Sequence, residues 1–120
     1  MNPIQWVEIA TRDIERAKKF YEMVFQIEFQ YMKMPDSEMY MFGDPTGVGS
    51  SGCLVHSPDT RPSAEGSLVY FGCEDVASEL SRVEEAGGEI VIPKSDIGEF
   101  GFFAHIMDTE GNKIGIHSQK

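Results

Sequence analysis

Few side chains in this sequence stand where chemistry could be done, and the sharpest is a carboxylate. Residues 4–11 alternate as a strand does, with Trp6, Glu8 and Ala10 on one face and Val7, Ile9 and Thr11 on the other. A carboxylate on such a face can serve as a general base, a metal ligand, or an anchor for a cationic or hydrogen-bonding ligand. It equally suits a dimer seam or a solvated cavity mouth. Tyr70, two residues past Leu68, offers a phenol on a later strand, and with Trp6 it suggests an aromatic pocket holding a few polar groups. His56, His105 and His117 all sit on or at the end of predicted strands. Imidazole is the commonest metal ligand, so Glu8, His105 and His117 form a conceivable metal set. No HxH or HxxxH spacing supports it, and a single strand histidine is more often packed. The methionines at 32, 34, 39 and 41 fall on one predicted hairpin, as core, dimer interface or an adaptable ligand wall.

Other chemistries are excluded by spacing. Ser37, Ser50 and Ser51 lack the GxSxG setting of a hydrolase nucleophile. Gly43, Gly47, Gly49 and Gly52 lack the Gly-Lys-Ser/Thr end of a phosphate loop. Cys53 and Cys73 lie in apolar contexts without a CxxC, so they read as free thiols. The 120 residues carry 10 Lys+Arg against 20 Asp+Glu, a net charge of -10. That balance repels nucleic acid and anionic lipid, so neither is an expected partner. Glu8 and the acidic balance favour a neutral or cationic small molecule. No basic stretch leads an apolar run at the N-terminus, and no run approaches the roughly 20 apolar residues that span a membrane. A soluble, cytoplasmic protein is expected.

The elements that must position these groups read clearly. After the first strand, Asp13 stands at a helix N-cap, with Glu15 in the first turn. Ile14, Ala17, Phe20, Tyr21 and Val24 then recur at helical spacing. Strands follow over 27–34, 39–43 and 50–56, with turns at Pro35–Glu38 and Asp44–Gly47. Residues 57–66 hold two prolines and no periodicity, as a linker does. The pattern restarts with a strand over 67–73, a helix capped by Asp75 and ended by Gly87-Gly88, and strands over 89–92, 100–107 and 113–117. Pro93 is expected to stop the strand that begins at Glu89.

The restart is a repeat. Asp13 and Asp75 stand 62 residues apart, and so do Glu22 and Glu84. The turns Asp44-Pro45-Thr46-Gly47 and Asp108-Thr109-Glu110-Gly111 match at a spacing of 64. The expected division is a first module over 1–57, a linker over 58–66 and a second module over 67–120. Neither half is long enough to bury its apolar faces alone.

A doubled βαβββ unit with Asp-Ile-Glu-Arg-Ala-Lys-Lys-Phe-Tyr at 13–21 and Asp-Thr-Glu-Gly-Asn-Lys-Ile-Gly at 108–115 resembles the vicinal oxygen chelate superfamily. That superfamily holds glyoxalases, bleomycin resistance proteins and extradiol dioxygenases, and the resemblance runs from residue 4 to 118. It implies an α+β fold of two tandem βαβββ modules whose curved mixed sheets enclose a cavity, usually in a homodimer. Metal-binding members place one ligand seven residues before each capping Asp and a Glu four residues after each turn glycine. Those positions here are Trp6, Leu68, Ser51 and Gly115. None offers a good ligand for a divalent metal. The resemblance therefore implies a small glyoxalase-like protein that binds an organic molecule without a cofactor or metal. Its pocket would be walled by Trp6, Glu8, Ser51, Leu68, Tyr70, Gly115 and His117. The alternative is a divergent lyase, isomerase or dioxygenase that uses a rearranged metal site.

Overall fold

The alternation around Glu8 and the stripe after Asp13 resolve in a computed structural model, which describes residues 2–120. Strand β1 (Trp6–Ala10) leads into helix α1 (Ile14–Phe25), whose cap Asp13 accepts a hydrogen bond from the Arg16 N–H. Strands β2 (Gln30–Met34), β3 (Ser37–Phe42) and β4 (Ser51–His56) complete the first module. The second repeats the order: β5 (Val69–Gly72), α2 (Val76–Val83), β6 (Glu89–Asp96), β7 (Phe102–Met107) and β8 (Lys113–Ser118). Past α2, Gly87 takes φ 101° and the Gly88 N–H returns to the Val83 carbonyl, a left-handed closure that only glycine adopts without strain.

Each module folds one four-stranded sheet, in the orders β1-β4-β3-β2 and β5-β8-β7-β6. The first and last strands of each module pair in parallel and the others antiparallel. The fold is therefore α+β, two βαβββ modules in tandem. Pro93 does not end β6 as expected. The strand runs on to Asp96 because it is the edge of its sheet, where a missing N–H breaks no ladder, and its register shifts on both sides of Ile92.

The register also corrects one equivalence. Glu8 lies opposite Cys53 in β4, and Tyr70 lies opposite Gly115 in β8. The Thr11 N–H bonds the Val55 carbonyl, and the Cys73 N–H bonds the His117 carbonyl. These pairs all keep the 62-residue offset, so the counterpart of Gly115 is Cys53 and not Ser51. The loop from β3 to β4 spans 43–50, whereas that from β7 to β8 spans 108–112. The extra length makes the turns match at 64 and stops that spacing from carrying into β4.

The modules join through their helix-bearing faces. Ile9, Phe20, Tyr21, Val24, Leu54, Val76, Val83, Ile106 and Ile116 belong to one buried cluster. Phe71 of β5 enters it, stacked on Phe25 at 4.4 Å and beside Tyr21 and Phe42. The two sequence motifs meet at this seam. Glu110, its side chain 0% exposed, accepts from the Arg12 and Asp13 N–H groups at 2.8 and 2.7 Å, from Thr109 Oγ1, and from the Arg16 guanidinium at 2.8 Å. Asp108 accepts from the Tyr21 hydroxyl at 2.6 Å and holds the loop through the Glu110 and Asn112 N–H groups. The Asn112 amide donates to the Ala10 carbonyl at 2.8 Å.

Candidate functional site

With Ile9, Leu54, Phe71, Ile114 and Ile116 turned to the core, strand alternation puts their neighbours on the opposite faces. On the first sheet that face carries Trp6, Glu8, Ser51 and Cys53, joined across the strands by Met41 and Met39 and then Met32. The Trp6 indole N–H donates to the Glu8 carboxylate at 3.2 Å. Trp6 stays 43% exposed, so this face is open. Burial, with the Glu8 charge beside it, pushes the Cys53 thiol up to about 12. At neutral pH the free protein holds it as the neutral thiol, a poor nucleophile.

The second sheet carries Tyr70, Gly115, His105, His117 and Phe103 on its matching face. Leu68 lies just ahead of β5 and is partly buried. The Tyr70 ring lies across Gly115, so that a Cβ there would come within 2.4 Å of Tyr70 Cδ1. Its hydroxyl meets His105 Nε2 at 2.7 Å. Burial first, and the Lys113 charge second, lower the pKa of His105, which favours the neutral ring. His105 Nδ1 is buried with no partner. A proton on Nδ1 would bury an unpaired donor, whereas a proton on Nε2 leaves only an unused lone pair. The second arrangement costs less; there Nε2–H donates to the Tyr70 oxygen, and the phenol proton is free for a ligand. His117 directs Nε2 to the Phe100 carbonyl at 2.6 Å, which commits that nitrogen as a donor.

Tyr70, Gly72, Ile97, Phe100, Phe103 and His117 line a hollow of about 590 Å³. The structure thus brings Tyr70 and His117 together, with Gly115 beneath the Tyr70 ring. Trp6, Glu8 and Ser51 lie on the other sheet, and among the described residues no strand of one sheet pairs with a strand of the other. Sequence reasoning missed Phe103, Phe100 and Ile97. Phe103 could have been found from its alternation with His105, whereas Ile97 precedes and Phe100 ends the short 3-10 turn Gly98–Phe100, and neither carries a periodic signal.

The residues present do not fit the superfamily's metal. Among the described residues no three His, Cys, Asp or Glu side chains gather where they could hold an ion, so Glu8, His105 and His117 do not form a site within one chain. At the inherited positions stand an indole bound to Glu8, a leucine, a glycine covered by a phenol ring, and Cys53 as the one ligating residue type, too few donors for a metal site.

The chain belongs to the glyoxalase/bleomycin resistance protein/dioxygenase superfamily, whose family model matches residues 3–116. It is 30% identical over 120 residues to a glyoxylase-like domain-containing protein of Didymella fabae, covering 94% of this chain and 91% of that one. It is 26% identical over 114 residues to "Putative glyoxylase CFP32" of Mycobacterium tuberculosis, covering 92% of this chain but 43% of that protein. The chain thus spans less than half the length of that curated relative. Its fold is shared with TnmS3, described as an antibiotic binding protein from a Streptomyces species. The TM-score is 0.72 at 23% identity, covering 100% of this chain and 98% of that one. Among the described residues no helix is long and apolar enough to cross a membrane.

Proposed function

We propose that this protein binds a small organic molecule, without a metal, in the hollow beside Tyr70. The observation that carries this reading is the Tyr70 ring laid over Gly115, which fills the place a ligating carboxylate would need. Phe100 and Phe103 supply apolar and π surface, and the Tyr70 hydroxyl supplies one directed donor. The matching ligand is a flat aromatic molecule with an acceptor oxygen, neutral rather than cationic, since Lys113 shares this face. The description of TnmS3 as an antibiotic binding protein supports a small organic ligand.

The site is completed in a homodimer. β1 and β5 are both sheet edges, and Trp6 and Tyr70 are 43% and 49% exposed. Joining β1 of one copy to β5 of another would set the Trp6–Glu8 face against the Tyr70 hollow. Free Cys53 and Cys73 suit a reducing, cytoplasmic setting.

Fluorescence titration with a water-soluble hydroxyanthraquinone tests the hollow. Saturable quenching of Trp6 is expected, weakened roughly fivefold by Tyr70→Phe, the loss of one neutral hydrogen bond. Calorimetry with Zn, Ni and Mn is the counter-test. Tight stoichiometric binding of any of them would overturn the metal-free reading.

A further inference from the structure

A second groove lies behind the first sheet. His56 and Glu38 share the face of Leu54 and Tyr40, so this groove opens on the helix side, away from Trp6 and Glu8. It forms where β1 and β4 end together, between the β2–β3 turn and the segment 57–62, and it encloses about 830 Å³. Its charged and titratable lining is Arg12, Lys33, Asp36, Glu38, His56 and Arg61.

The cation pairing singles this groove out. The chain has ten Lys+Arg against twenty Asp+Glu, so a carboxylate is the expected neighbour of any guanidinium. Arg16 and Arg82 have one, in Glu110 and Glu79. Among the described residues Arg12 and Arg61 have none, and both line this groove. Lys33 and Glu38 form a loose pair at 3.9 Å and largely cancel, which leaves Asp36 as the one unpaired acid in the lining. His56 Nδ1 lies 3.1 Å from the Thr11 carbonyl, so Nδ1 donates there and only Nε2 is free for a ligand. Pro58, Pro62 and the bond between Ser57 Oγ and Thr60 Oγ1 at 3.2 Å stiffen the segment that carries Arg61. Two guanidinium groups without a carboxylate partner, lining one groove with an imidazole, make a receptor for a planar or tetrahedral oxyanion.

We propose that this groove binds the oxyanion head of a small anionic molecule, a phosphate or a carboxylate, clamped between Arg12 and Arg61. The site is separate from the Tyr70 hollow and does not depend on it. The test is an NMR titration with inorganic phosphate and, separately, citrate, against sodium chloride at matched ionic strength. Saturable shifts are expected at the Arg12 and Arg61 Nε–H groups and at the amides of residues 57–60. Arg12→Ala and Arg61→Ala should each weaken binding roughly tenfold, as loss of a charged hydrogen bond does. Arg12→Lys, which keeps charge but not the fork, should weaken it less, and Lys19→Ala on α1 should leave it unchanged. Phosphate, citrate or both moving those resonances supports the site and names its source. No saturable shift with either, shifts reproduced by chloride, or binding retained in the Arg12→Ala/Arg61→Ala double variant would overturn it.

Discussion

Replacing Glu110 by glutamine tests whether the seam between the modules is held by a buried charge. Glu110 is fully buried and collects two backbone N–H groups, the Thr109 hydroxyl and the Arg16 guanidinium. The substituted amide could keep its oxygen on the Arg12 and Asp13 N–H groups, but its NH₂ would then face the Arg16 and Thr109 donors. Arg16 is 49% exposed and can return to water, so the full penalty of breaking a buried pair is not incurred. We expect a loss of about 2–3 kcal/mol, from one charged hydrogen bond removed and one donor left facing a donor. For a chain of this length that lowers Tm by about 8–12 °C. Acid adds a second signature. Burial alone would raise the Glu110 pKa, but Arg16, the Asp13 and Arg12 N–H groups and Thr109 together hold it below the ordinary carboxylate range. The charge therefore stabilises the fold fully above the unfolded value of about 4.3, and its contribution is lost as pH falls through the lower folded value. Urea unfolding of both proteins across pH 7 to pH 3 reads this directly. The gap between wild type and Glu110→Gln should narrow below about pH 4. A gap equally wide at both ends, or no loss of stability at pH 7, would show that the Glu110 charge does not hold the seam.

Three further outcomes follow from named contacts. Tyr21→Phe removes the 2.6 Å bond to Asp108, whose carboxylate keeps Asn112 and Glu110 N–H partners, so urea unfolding should show a loss of about 1–2 kcal/mol. A loss below a few tenths would place no weight on that bond. Gly115→Ala puts a methyl 2.4 Å from the Tyr70 ring, so anthraquinone affinity should fall by more than that of Tyr70→Phe; unchanged affinity would separate the hollow from Tyr70. Cys53 is buried with its thiol at about 12, and partly buried Cys73 is raised to about 11, so a disulfide reagent at pH 8 should modify Cys53 only on the timescale of unfolding and Cys73 slowly. Rapid modification of Cys53 in the folded protein would contradict its placement.

Much of the fold is legible in the sequence because its cues are local. Asp13 and Asp75 cap the two helices, and the β1 alternation puts Glu8 on the face opposite Ile9, as their local patterns predict. Pro93 misleads because edge position is a property of the sheet, invisible along the chain. Ser51 misleads because a longer loop shifts one spacing by two residues, which flips no face but changes the partner. The candidate site is half legible. The sequence singles out Tyr70, Gly115, His105 and His117, yet nothing in their spacing shows that a phenol ring covers Gly115.

The motifs at 13–21 and 108–115 first serve as marks of a family. The fold gives them a physical purpose, since Arg16 and Tyr21 of one are bonded to Glu110 and Asp108 of the other. By itself the sequence carried the repeat and the element order, because composition, caps and periodicity act over a few residues; it placed one family metal position at Ser51, where the sheet register puts Cys53. Which groups meet is set by the packed fold: the Tyr70–His105 pair, the Glu110 clasp and the two unpaired arginines of the groove. The first two of these join residues 35 to 98 positions apart, and such contacts are set by sheet register and module packing rather than by any local pattern.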